Sequence, residues 1–137
     1  MKSFRDFHFS LSVILTGLLI FIFLGMQAFA EIFTVTSTLD SGVQPGTLRN
    51  AILAANAMPG DDEIVFDLPS LPATITLLEG ELPITDSVTV TGPGSGQLTI
   101  DADDQSRIFN IDDGEPAMNA DVVITGLRLI NGMTQTQ

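Results

Sequence analysis

The sequence predicts an all-β fold: a right-handed parallel β-helix, or solenoid, with one N-terminal capping α-helix and an incomplete far end. Three observations carry that prediction. Short β-rich runs recur from residue 63 onward, separated by Gly, Pro, Asp and Ser, and each has the usual size of a short strand. One motif of the form V-x-(V/I)-T-G occurs at positions 88–92 and again at 122–126, 34 residues later; repetition at such a period is the signature of stacked coils. Only one segment, residues 47–57, shows helical periodicity.

The first 30 residues are set apart. Lys2 and Arg5 precede an apolar run from Leu11 to Met26, and Ala28-Phe29-Ala30 follows. This is the three-part layout of a secretory signal peptide, with cleavage expected after Ala30 and before Glu31. An uncleaved membrane anchor is the alternative. The run covers 16 positions, short of the ~20 needed to span a bilayer. Both alternatives place the rest of the chain on the far side of the membrane, because the positive residues flank only the N-terminal side. The expected location is therefore extracellular or at the cell surface.

Residues 31–62 read as an N-terminal cap. Residues 32–38 (IFTVTST) alternate and are β-branched, so a strand is expected there. LDSGVQPG at 39–46 is turn-rich. In the helix at 47–57, Leu48, Ala51, Ile52 and Ala55 fall on one face. Thr47 is suited to the N-cap and Pro59-Gly60 stops the helix. About three turns are too short to stand alone, so the helix must lie on an apolar surface. The open end of the first coil is the natural one, since solenoid ends need cover.

Residues 63–137 read as coils. Strands are expected at 64–67, 74–78, 82–85, 88–92, 98–101, 107–111, 122–126 and 127–132. Three strands per cycle gives two full turns and part of a third, wound right-handed as parallel crossovers are. Leu98 and Ile100 should point inward, with Leu127 and Leu129 stacked on them in the next coil. The Gly-Pro-Gly-Ser-Gly segment at 92–96 should turn a corner between sheets. In 107–111, Phe109 and Ile111 are expected inward, which requires Arg107 to bend out.

Taken together, FTVTSTLDSG, GTLRNAILAAN, DEIVFDLP, TITL, LPITDSVTVTGPG, LTIDADDQSRIFNI and VVITGLRLINGMT resemble the N-terminal region of bacterial right-handed parallel β-helix surface proteins of the pectate-lyase-like fold. The resemblance runs from Phe33 to Gly132. It implies a secreted or autotransporter-like protein with further coils. No second helix is expected to cover the far coil. The chain is therefore expected to be the first part of a longer solenoid, or one whose uncapped C-terminal coil makes an end-to-end contact with a partner. The alternative is that the short polar tail after Gly132 covers the end.

Composition narrows the function. Residues 31–137 carry 16 carboxylates and three arginines (Arg49, Arg107 and Arg128), and no lysine, tyrosine or tryptophan. The resulting net charge of −13 excludes a nucleic-acid partner bound by phosphate neutralisation and disfavours anionic headgroups; membrane contact is expected only through the signal segment, if it is uncleaved. The absence of Cys excludes thiol chemistry and disulfides. His8, the sole histidine, departs with the leader, which excludes a nucleophile–histidine triad.

No catalytic, cofactor-binding or metal residue is therefore assigned. Calcium is the one cofactor that the acidic residues invite, at Asp101, Asp103 and Asp104 with Asp112 and Asp113. An EF-hand fit fails, because position 6 of that loop is Ser106 and position 12 is Asp112. Solvated turn carboxylates are the more common explanation, for these and for Asp61-Asp62-Glu63. Asn131 is read as a turn residue or a member of an amide stack, and Arg49 as a side chain snorkelling along the cap helix.

The expected function is an exported surface or extracellular segment with a structural or adhesive role and no catalysis of its own. The alternative is a polysaccharide-binding or polysaccharide-processing (lyase- or hydrolase-like) protein whose active region lies beyond this chain. A polysaccharide or cell-surface partner suits either.

Overall fold

The computed structural model describes residues 29–112, 114 and 120–134. The expected export segment thus lies almost wholly outside the described residues, as do Asp113 and the last three residues of the tail. In chain order the elements are β1 (Ile32–Val35), α1 (Leu48–Ala55), β2 (Asp62–Phe66), β3 (Ala73–Thr76), β4 (Leu82–Ile84), β5 (Val88–Thr91), β6 (Leu98–Asp101), β7 (Phe109–Ile111), β8 (Val122–Thr125) and β9 (Arg128–Ile130). No helix among the described residues is long and apolar enough to cross a membrane.

Every strand pair among the described residues is parallel. The strands form three sheets, ordered β1-β2-β5-β8, β3-β6-β9 and β4-β7. The chain visits each sheet once per cycle, so the fold is a β-solenoid of about three turns, with one short helix among the described residues. The first coil is β2-β3-β4, the second β5-β6-β7, and the third begins with β8-β9. β1 is the first rung of the first sheet, ahead of these coils.

The repeat is in register. Val88 pairs with Val122 and Val90 with Ile124. Ile100 pairs with Leu129, as the alternation predicts. The side chains that share a register position and point inward form aliphatic rows along the axis: Ile64, Val90 and Ile124 in the first sheet, Ile75, Ile100 and Leu129 in the second, Ile84 and Ile111 in the third. Ile75, Ile84 and Ile100 have no exposed surface, whereas Leu129 is 45 % and Ile111 52 % exposed. Burial of one such side chain contributes about 1.5–3 kcal/mol, so the inner coils supply most of the apolar stabilisation.

Several strands are shorter than the β-rich runs that predict them. β1 stops at Val35 rather than Thr38, because the Thr36 and Ser37 amides turn to donate to the Gly46 carbonyl. β7 starts at Phe109, and Arg107 turns outward to Glu81. α1 covers Leu48–Ala55 rather than the full 47–57. Thr47 is the N-cap, its hydroxyl accepting from the Asn50 amide at 3.2 Å, and residues 56–57 form a turn. Leu48, Ala51, Ile52 and Ala55 are all buried in the same core as the coil residues, so the apolar face does close the first coil.

At its C-terminal end the helix also covers a strand edge. The Asn56 side chain donates to the Pro83 carbonyl (2.8 Å) and accepts from the Thr85 amide (2.9 Å). One amide thus pairs the edge of β4 as a neighbouring strand would.

Candidate functional site

The corner between the second and third sheets gathers most of the charged contacts. On the cap side, Arg49 projects from α1 into the interior and is 6 % exposed. Its Nε and Nη2 donate to Asp40 Oδ1 and Oδ2 at 2.7 and 3.0 Å. Nη1 and Nη2 also donate to the Glu81 and Gly80 carbonyls at 2.9 and 2.6 Å. Asp40 Oδ2 accepts the Leu78 and Glu79 amides at 2.6 and 2.8 Å. Burial pushes the Asp40 carboxyl up. The hydrogen bonds from Arg49, Glu79 and Leu78, with the guanidinium's charge, outweigh burial and hold it below its ordinary value.

This corrects the sequence-based expectation for Arg49. It does not snorkel to solvent. It ties the cap loop, the helix and the β3–β4 turn through a planar fork that matches a carboxylate. Asp40 lies nine residues before Arg49 in a Gly-rich loop, a separation that carries no periodic signal.

One coil further, Arg107 Nε and Nη2 donate to Glu81 Oε2 and Oε1 at 2.8 and 3.2 Å. This pair is open to solvent, with side chains 49 % and 33 % exposed, and the contact raises the guanidinium above its ordinary value. The turns of successive coils form a shallow groove of about 570 Å³ here, lined by Glu79, Glu81, Gln105, Ser106, Arg107 and Met133. Chemically it offers carboxylates, amide and hydroxyl groups and one guanidinium already engaged by Glu81.

The acidic corner is organised by internal hydrogen bonds. Asp101 Oδ1 accepts the Asp103 amide (2.9 Å) and Asn131 Nδ2 (2.8 Å). Asn131 therefore bridges to a carboxylate in the preceding coil instead of stacking on another amide. Asp103 and Asp104 adopt φ of 50° and 55°, a left-handed turn that Asp tolerates. Asp112 Oδ1 accepts the Gly114 amide at 2.9 Å. Among the described residues no three carboxylate or imidazole side chains converge.

Asp62 departs most from expectation. It is not a solvated turn carboxylate: it lies on β2, 1 % exposed. Its register partner in the next coil is Val88, which pairs in turn with Val122, so a carboxylate occupies an inward position shared with two valines. Oδ1 accepts the Glu31 amide at 2.8 Å. Oδ2 is buried and has no hydrogen-bond partner among the described residues. Beside it, Asp61, Asp121, Thr89, Val88 and Val123 help to line a hollow of about 220 Å³.

The fold and its turn-borne polar groups define a helix-capped parallel β-solenoid. Compared with known proteins, the chain matches no family model, no curated protein and no solved structure.

Proposed function

We propose that this chain is an exported, surface-facing solenoid segment with a structural or adhesive role, akin to the pectate-lyase-like surface proteins that its motifs resemble. The observation that carries this reading is the extensible stack: each coil repeats the same aliphatic rows in register, and the row ends Leu129 and Ile111 remain about half exposed at the β7 and β9 edges. Such a stack grows by adding coils, or by receiving a partner's edge end to end, and so presents a long surface. The outer face carries Thr, Asp and Glu with little positive charge, which suits an environment of neutral sugars and proteins better than one of phosphates. Catalysis is not assigned to any residue.

The test is fractionation of cells expressing the full chain with a C-terminal epitope tag. Tag in the medium or on the outer surface, accessible to added protease, is expected. Tag confined to the cytoplasm refutes the export reading.

A second reading is favoured by the groove along Glu79, Glu81, Gln105, Ser106 and Arg107: polysaccharide binding through hydrogen bonds to hydroxyls. Its test is gel retardation of the purified chain by a panel of neutral and acidic polysaccharides. Retardation that disappears in Arg107→Ala supports this reading, and unchanged mobility across the panel removes it.

A further inference from the structure

We propose that Asp62 is a built receptor for the α-ammonium group that cleavage after Ala30 creates on Glu31. The inference rests on the export reading above and adds to it a structural consequence of processing. In that step a leader peptidase hydrolyses the Ala30–Glu31 amide bond. Water supplies hydroxide to the Ala30 carbonyl carbon and a proton to the Glu31 nitrogen, and the new amine takes a further proton from solvent.

The first support is an unmet demand. Asp62 is buried in an inward row of the first sheet, and Oδ2 has no partner among the described residues. A buried carboxylate is costly unless it is both paired and hydrogen-bonded. The arginines of the coils and cap are committed or elsewhere: Arg49 pairs with Asp40, Arg107 with Glu81, and Arg128 lies on β9 in the second sheet. Among the described residues the surroundings add negative charge, with Asp61 and Asp121 on the same hollow and Glu63 next in sequence.

The second support is position. Glu31 N already sits 2.8 Å from Asp62 Oδ1. It is held there from the other side, because the Glu31 carbonyl accepts the Glu63 amide at 2.8 Å as the ladder of β1 and β2 begins. That anchor does not involve residue 30. Cleavage therefore leaves the nitrogen in place and changes its chemistry: one N–H becomes three, with a full positive charge. The peptide donor in the uncleaved chain satisfies one oxygen, and an ammonium can serve both.

The third support is room. Phe29 and Ala30 run against Gly60, where an added Cβ would meet the Phe29 carbonyl oxygen at 2.6 Å and the Ala30 nitrogen at 3.3 Å. Loss of these residues on cleavage clears the space next to Glu31 N. The mature N-terminus is thereby stitched into the first rung of the stack.

The experiment exploits the absence of lysine after residue 30, which makes the α-amine the only primary amine of the processed chain. The full chain is expressed in a bacterial host, purified from the exported fraction, and its first residue read by mass spectrometry; Glu31 is expected. An amine-acylating reagent is then applied at neutral pH to the native protein and to the same protein in denaturant. Pairing holds the proton on the amine more tightly, and a tenfold gain in that proton affinity should slow native labelling about tenfold. In D62N the native rate should rise towards the denatured rate, and the melting temperature should fall.

A native amine that reacts as fast as the denatured one overturns the pair, even with Glu31 first, and leaves export standing. A different first residue in the exported fraction overturns the pair and the cleavage position together. Chain retained in the cytoplasm overturns the export reading itself. The wild-type comparison can still overturn the pair even if D62N fails to fold.

Discussion

Gly92 and Gly126 lie over one another at the same corner of successive coils, each backbone filling the space where the other's Cβ would stand. The Gly92 amide donates to the Thr125 carbonyl and the Gly94 amide to the Gly126 carbonyl, both at 2.9 Å. This contact explains why the repeated motif ends in glycine. Gly126 also needs a left-handed φ of 66°.

Gly126→Ala should therefore cost both the backbone preference and a clash with packed backbone that cannot move aside, about 3 kcal/mol in all. Gly80 has φ of 82° but nothing within 4 Å of an added Cβ. Gly80→Ala should cost about 1 kcal/mol, the conformational part alone. Urea denaturation of the two variants measures the difference. Equal losses would mean that the coils do not touch at the corner.

The two arginine pairs should differ sharply in worth. Arg49 and Asp40 have side chains 7 % and 1 % exposed, whereas the Arg107–Glu81 pair is half open. Arg49→Met leaves a buried carboxylate and two carbonyls without their donor and should cost about 3–5 kcal/mol. Arg49→Lys should recover little, since an ammonium cannot reproduce the fork. Arg107→Met should leave the denaturant midpoint nearly unchanged, because solvent screens an exposed pair. Denaturant midpoints decide this, and a larger loss at Arg107 than at Arg49 would contradict the assignment.

Asp40 gives a pH dependence of known sign. Its folded-state value is held below the ordinary 3.8, so the unfolded chain binds the proton more readily. Its contribution to stability is fully present above pH 3.8 and is lost as pH falls through the lower folded value. Melting temperature followed from about pH 5 downward should fall less steeply in Asp40→Asn than in the wild type. Parallel curves would show that Asp40 is not the group responsible.

The coils are legible in the sequence because their physics is local and repeated. V-x-(V/I)-T-G marks both the inward aliphatics and the corner glycine, and the register of Val88 on Val122 follows from it. The face of α1 is legible for the same reason, through the spacing of Leu48, Ala51, Ile52 and Ala55. Polar contacts are not. Arg49 meets the carbonyls of Gly80 and Glu81, 31 and 32 residues away, and Asn56 serves a strand edge that exists only once β4 is placed. Asp62 is obscured because it stands among acidic neighbours. Its alternation with Ile64 on β2 is the available signal, but an inward carboxylate contradicts the rule that assigns such positions to aliphatic residues.

The cap helix supplies the sharpest test of how the stack is closed. Ile52 is 1 % exposed and belongs to the core of the coils, whereas Leu53, one residue on, is 40 % exposed and lies next to Gly42 in the cap loop. Ile52→Asp places an unpaired carboxylate against the first coil and removes an aliphatic side chain from the core, a loss of about 4 kcal/mol or more. Leu53→Asp should cost about 1 kcal/mol or less, as a partly exposed position does. The first variant should bare both the coil interior and the β4 edge that Asn56 covers, so it should bind a hydrophobic dye and aggregate on warming. The second should stay unaggregated with a near-native melt. Light scattering during a thermal ramp separates the two, and identical behaviour would mean that the helix adds bulk to the end of the solenoid without sealing it.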